Sequence, residues 1–337
     1  MVMAGLLTVG AAMTSVYIVA ESQLNTPLTF AIDDDVFVVS EGQGLNAIAT
    51  TLEERGLISS ARWLRVGIQL RSSDLVPKKG EYRLVPGESV AQLLQRIHNN
   101  AVIRYALTVP EGVTFEWFLD QLWQHPRVTR VLDGVADPRL SALLGDYDSP
   151  EGLFLPETYL IQSGDTDLDI LRRARDAMKQ VVASAWMERA EDIPLASPYE
   201  ALILASIIEK ETGIGSERDI IAGVFSRRLK QGMRLQTDPT IIYGLGSQFD
   251  GNLTRRHLQD RDNKYNTYRI AGLPPTPISL PGKKAIEAAL RPAAGASLYF
   301  VAKGDGSHAF SDSLSEHKKN VRRYQLQRRE DYRSSPR

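Results

Sequence analysis

The stretch Pro198-Tyr-Glu-Ala-Leu-Ile-Leu-Ala-Ser-Ile-Ile-Glu-Lys-Glu-Thr-Gly213 most constrains the fold. Ser197-Pro198 is a cap and first-turn pair, and a glycine closes the segment, so the spacing predicts a helix. Leu202, Ile203, Leu204, Ile207 and Ile208 leave that helix almost no polar face. A helix apolar all round has to be buried, and the rest of the chain must wrap it. With 337 residues there is enough chain for two domains and a sizeable core. Glu209 falls one turn after Ala205 and Ser206, whose small side chains leave room beside a carboxylate. A carboxyl there is partly desolvated, which raises its pKa and favours the protonated form a general acid needs. The plainer reading is a helix-end glutamate that reaches solvent.

A second regularity lies upstream. Gly42, Gly87 and Gly112 each precede apolar residues at +3, +6, +7 and +10, one face of a helix. Each also follows an extended apolar run: 36–39, 82–85 and 107–109. The repeated unit is strand, tight turn, amphipathic helix. Pro126 to Pro156 is rich in turn formers, and helical patterning resumes from Thr166 to Ala190. Ser297–Ala302 has strand character and runs into the turn Lys303-Gly-Asp-Gly306. The charged end, 326–337, reads as a solvated, disordered tail.

Formal charge is −1, so no nucleic-acid footprint is visible. The absence of cysteine removes disulfide, thiolate and cysteine-metal chemistry, and the five histidines have no ligand spacing. No metal and no cofactor are expected. Met1 to Ala20 carry no charged side chain, and about twenty such residues can span a hydrocarbon core. Residues 1–22 are therefore expected to form a membrane anchor. A signal peptide is the rival, with Ile18-Val19-Ala20 a poor cleavage site.

Several motifs in order carry a family resemblance. They are Glu151-Gly-Leu-Phe-Leu-Pro-Glu-Thr-Tyr159, Ala205-Ser-Ile-Ile-Glu-Lys-Glu-Thr212, Ser216-Glu-Arg-Asp219, Gly232-Met-Arg-Leu-Gln-Thr-Asp-Pro-Thr240, Tyr265-Asn-Thr-Tyr268 and Gly272-Leu-Pro-Pro-Thr-Pro-Ile-Ser279. Together, over about Val36 to Tyr324, they resemble the YceG-like endolytic murein transglycosylases. The resemblance implies cleavage of the bond between N-acetylmuramic acid and N-acetylglucosamine in nascent peptidoglycan strands, leaving 1,6-anhydro ends. It further implies an uncleaved anchor in the cytoplasmic (inner) membrane and a catalytic body on its outer side. Beside the cell-wall synthases as partners, such an enzyme would terminate glycan polymerisation. The strand-turn-helix units over 36–100 look like LysM-type modules, which bind N-acetylglucosamine polymers, although an apolar face of this kind is also ordinary core.

Glycosidases normally pair two carboxylates across the scissile bond. Glu209 and Glu211 lie about 200° apart on a helix, so only one can face a given sugar. Lytic transglycosylases need one, because no external water attacks. The resemblance is read as placing the family's essential glutamate at Glu209; Glu211 is the weaker candidate, read as structural or a hydrogen-bonding neighbour. Gln236 and Thr237 offer polar groups for sugar hydroxyls, Asn266 an amide for an N-acetyl carbonyl, and Tyr265 and Tyr268 ring faces for stacking. A turn-forming asparagine with packed tyrosines is the alternative. Asp238-Pro239 has the form of a helix cap, and Gly272–Pro277 that of a rigid extended loop. Glu217 and Arg218 read as surface or helix-start charges, and His308 in G-x-H-x-F as structural, with contact to substrate the alternative.

The expected architecture is α+β: the anchor at 1–22, a small LysM-like domain at 36–100 and a mixed catalytic domain at 101–325. A hydrolytic muramidase, or a tethered wall-binding protein without activity, would be built from the same features.

Overall fold

The structure, a computed structural model, describes residues 2–31, 35–71 and 74–326, with residues 2–8 as backbone only. It is mixed α+β, and the chain divides into two compact units whose boundaries fall inside the third, fifth and sixth strands.

The first unit opens with α1 (Val2–Asn25), followed by β1 (Val36–Val39), α2 (Leu45–Glu54), α3 (Ala61–Leu70), β2 (Gly80–Arg83) and α4 (Val90–His98). The chain leaves it in β3 (Tyr105–Thr108). Strands β1 and β2 pair antiparallel, from Val36 opposite Arg83 to Val39 opposite Gly80. Their inward side chains Phe37 and Tyr82 meet Ile48, Leu52, Leu64, Leu93 and Ile97 from the helices in one core. The turns of the repeated unit hold Gly42, Gly87 and Gly112 at φ of 73°, 81° and 78°, a conformation costly for any residue with a Cβ. The apolar spacing after each glycine becomes the buried face of α2, α4 and the next helix.

Among the described residues no helix is long and apolar enough to cross a membrane. Glycine, serine and threonine dilute the apolar character of α1, and its second half belongs to the unit's own core through Ala20 and Leu24. The expected tail lies outside the described residues from 327 onward.

The second unit contains α5 (Phe115–Gln124), β4 (Val128–Thr129), α6 (Pro138–Leu144), the start of β5 (Thr158–Ile161), the end of β6 (Asp165–Thr166) and α7 (Asp167–Met187). It continues with α8 (Pro198–Glu211), α9 (Gly215–Lys230), α10 (Asp238–Leu245), α11 (Arg255–Gln259), α12 (Lys283–Leu290), β7 (Tyr299–Ala302), β8 (His308–Ser311) and α13 (Leu314–Val321). Helix α8 is the centre. It packs against α7, α9, α10 and α12, and every residue from Ala201 to Ile208 is buried. Each Leu or Ile so enclosed contributes about 1.5–3 kcal/mol. Ser206 spends its hydroxyl on the proline-rich segment, accepting the Ile278 N–H at 2.9 Å, while the Ser279 hydroxyl donates to the Ser206 carbonyl at 3.2 Å. The room beside Ala205 and Ser206 is thus taken by that loop. Fully buried Asp167 gathers the turn-rich segment by accepting from Trp123 Nε1 at 2.9 Å and from the N–H groups of Val131 and Leu132. The hairpin β7–β8 closes with Ala302 opposite His308.

Candidate active site

Thr212 ends α8 in extended conformation, so Glu209 and Glu211 occupy the last turn of the helix. Their surroundings differ in the way the helical angle between them demands.

Glu209 is enclosed, its side chain only 5 % exposed. One oxygen accepts the Gly282 N–H at 2.9 Å, immediately before α12, and the other lies 3.4 Å from the Arg218 guanidinium of α9. Burial raises its pKa; the Glu111 carboxylate adds to this, against Gly282 and Arg218. The group therefore ties α8, α9 and α12 together. Arg218 and Glu217, expected at the surface or a helix start, stand near the start of α9 and are mostly buried at 13 % and 12 % exposure, each bonded to an enclosed partner.

Glu211 points elsewhere, into the wall of a cavity of about 840 Å³. That volume lies within the roughly 300–1,000 Å³ of small-ligand sites. The Thr237 hydroxyl donates to Glu211 Oε1, Asp238 is a like-charged neighbour, and the guanidinium of buried Arg228 supplies the opposite charge. Burial dominates, and the Glu211 carboxyl is pushed up to about 7. Gln236, Thr237, Asp238 and Tyr268 line the same cavity, with Tyr299, Phe300 and His308 from the hairpin and His317 from α13.

Local structure explains how these groups are held. Gln236 adopts φ of 51°, a left-handed conformation unusual for its type, and such strain is found where a structure fixes a side chain for use. Its N–H donates to the Thr267 carbonyl, and the buried hydroxyls of Thr240 and Thr267 bond each other and hold the backbone of Thr237, whose N–H donates to Thr267 Oγ1 and whose carbonyl accepts from Thr240 Oγ1. Asp238 is not the helix cap: Thr237 holds that position without a side-chain bond, and Asp238 accepts the Tyr268 hydroxyl at 2.8 Å. Arg228 is clamped by the carbonyls of Leu298 and Leu235, at 2.7 and 2.6 Å, and lies 5.3 Å from the Tyr299 ring centre.

The expected site residues thus separate. Glu211, Gln236, Thr237 and Tyr268 come together at the cavity, while Glu209, Tyr265 and Asn266 are not among its lining residues. Asn266 is fully buried, its amide nitrogen donating to the carbonyls of His257, Leu258 and Asp260 and its oxygen accepting the Tyr268 N–H. Both ends of that amide are occupied by the loop, which matches the turn-forming alternative and leaves nothing for an acetamido group. Tyr265 bonds Thr276 at 2.8 Å and meets Tyr243 edge-on. Sequence reasoning missed Arg228, which reads as surface charge in Arg227-Arg228, and gave no role to Glu151. The latter is buried, pushed up to about 7 by desolvation, and bonded to the Phe115 N–H and the Tyr243 hydroxyl. Among the described residues no group of acidic or histidine side chains could hold a metal ion.

The profile of the YceG-like family matches residues 37–323. The chain is 29% identical over 312 residues to an endolytic murein transglycosylase of Bacillus subtilis, covering 85% of this chain and 83% of that one. It is 28% identical over 318 residues to the enzyme of the same name from Streptococcus pneumoniae strain D39, 84% of this chain but 57% of the longer relative. The crystal structure of a YceG-like protein from Listeria monocytogenes superposes with a TM-score of 0.55 at 30% identity, over 84% of this chain and 97% of that one. Motifs, fold and these likenesses agree, and the chain belongs to the YceG-like family.

Proposed function

We propose that this chain is an endolytic murein transglycosylase and that Glu211 is its acid and base. The observation that carries the assignment is a carboxyl poised at about 7 in the wall of a cavity lined by hydrogen-bonding groups and aromatic rings. Near neutral pH that group is half protonated, so it can give a proton and take one back. Protonated Glu211 donates to the glycosidic oxygen as the bond from muramoyl C1 breaks. The resulting carboxylate, favoured by the nearby Arg228 charge, then accepts the proton of the muramoyl C6 hydroxyl as that oxygen closes on C1. Proton and bonds balance without water, and the product carries a 1,6-anhydro end. Because the attacking hydroxyl belongs to the same sugar, placement alone supplies several kcal/mol of the rate gain. Gln236, Thr237 and Tyr268 hold the strand in register for this step.

A second reading keeps the acid at Glu209, favoured by that carboxyl's enclosure and raised pKa. Digesting purified glycan strands with Glu211→Gln and Glu209→Gln, followed by mass spectrometry of the ends, separates the two. Glu211→Gln is expected to abolish cleavage in a folded protein, and Glu209→Gln to lower stability while anhydro ends still form. The opposite pattern moves the acid to Glu209, and reducing ends from the wild type would mean a muramidase.

The finer assignments rest on further features. The first unit serves as a LysM-like module, supported by the antiparallel β1–β2 pair with α2 and α3 between them. The start of the chain attaches the enzyme to the cytoplasmic membrane, beside the synthases that make its substrate. In support, α1 exposes Val9, Met13, Val16, Tyr17, Ile18 and Val19, and Met1 to Ala20 lack charge. Removal of residues 1–22 is expected to shift the protein from the membrane fraction to the soluble one.

A further inference from the structure

His308 and Glu217 form a pair that the reaction described above does not use. Glu217 Oε1 accepts the backbone N–H of His308 at 2.9 Å, and Oε2 lies 2.7 Å from its Nδ1. Both side chains are nearly enclosed, at 6 % and 12 % exposure, yet His308 lines the Glu211 cavity. The Phe300 ring meets the imidazole edge-on at 5.4 Å and lines the same wall.

A tie between α9 and β8 needs only the backbone N–H. Committing the second carboxylate oxygen to Nδ1 fixes the orientation and tautomer of the ring as well. In the neutral tautomer whose Nδ1–H donates to Glu217 Oε2, Nε2 carries a lone pair and is an acceptor only. We infer that His308 is a glycan-binding residue of this cavity: its Nε2 accepts a hydrogen bond from a hydroxyl or acetamido N–H of a strand sugar, the adjacent Phe300 ring covers that sugar's apolar face, and Glu217 is the positioning residue. The inference rests on the reading that the glycan occupies the Glu211 cavity. The ligand group it names is a donor, which separates this subsite from one built for a carboxylate or a carbonyl.

Steady-state cleavage of purified, uncrosslinked glycan strands by the full chain tests it. His308→Phe keeps an aromatic ring against Phe300 and deletes the acceptor; KM is expected to rise about tenfold, the worth of one such bond, with kcat within about twofold. Glu217→Gln keeps a partner for the backbone N–H, but its amide can donate to Nδ1 and so move the ring proton to Nε2. The acceptor becomes a donor, KM rises several-fold, and Glu217→Asp restores part of the loss. A purely structural pair would lower the thermal midpoint and leave KM alone. Wild-type KM in either folded variant overturns the inference. If Glu211→Gln is inactive at the same time, the cavity reading stands without it; if Glu211→Gln cleaves normally, the cavity reading itself has failed.

Discussion

Two glutamates separated by one lysine have opposite employments, and the difference is which side of α8 each occupies. Glu209 meets a backbone N–H and an arginine, while Glu211 meets a hydroxyl and a cavity. With the Glu211 carboxyl at about 7, the protonated form the first step requires is present below that pH and lost above it. The limb of kcat/KM on the alkaline side is therefore expected to turn down near pH 7, and a profile flat to pH 9 would count against Glu211 as the acid. Glu151 offers a stability test away from the cavity. Its folded pKa, about 7, lies above the ordinary carboxyl value of 4.5, so the native state holds a proton the unfolded chain releases. Stability from this group is full below about 4.5 and declines as pH rises to about 7, by at most about 3 kcal/mol. Glu151→Gln, neutral at all pH, is expected to flatten part of the fall in thermal midpoint between pH 5 and 8.

At the scale of elements, loops set the positions that helices cannot. The proline-rich segment is pinned to α8 through Ser206 and to the E-G-L-F motif through Gly152, where φ is 75°. A Cβ at Gly152 would fall 2.4 Å from Pro277 Cβ, a ring that cannot rotate away. Gly152→Ala should cost about 2–4 kcal/mol from backbone strain and overpacking together, readable as a lower denaturation midpoint. The apolar spacing of α2, α4, α5 and α8 was legible because burial of one face, or of all faces, writes itself into a period. Helix α3 had no preceding glycine of the repeat, and α6 is short and sits among turn formers. Asp137 caps α6 through the Arg139 N–H.

For the whole molecule, order along the chain and nearness in space part company. The cavity draws Glu211 from α8, Arg228 from α9, Gln236 and Thr237 from the next loop, Asp238 from the start of α10, Tyr268 from another loop, and aromatic residues from the final hairpin. The sequence by itself determined the family, the central buried helix, the recurring strand-turn-helix units and the short list of polar residues from which the site is drawn. These follow from local spacing and from motifs that survive as contiguous strings. Only the tertiary structure decided which of the two glutamates borders open volume, that the Asn266 amide is consumed by its own loop, and that Glu217 and His308 meet across ninety-one positions of chain. Desolvation and charge pairing depend on what packs around a side chain, and that packing comes from residues remote in sequence.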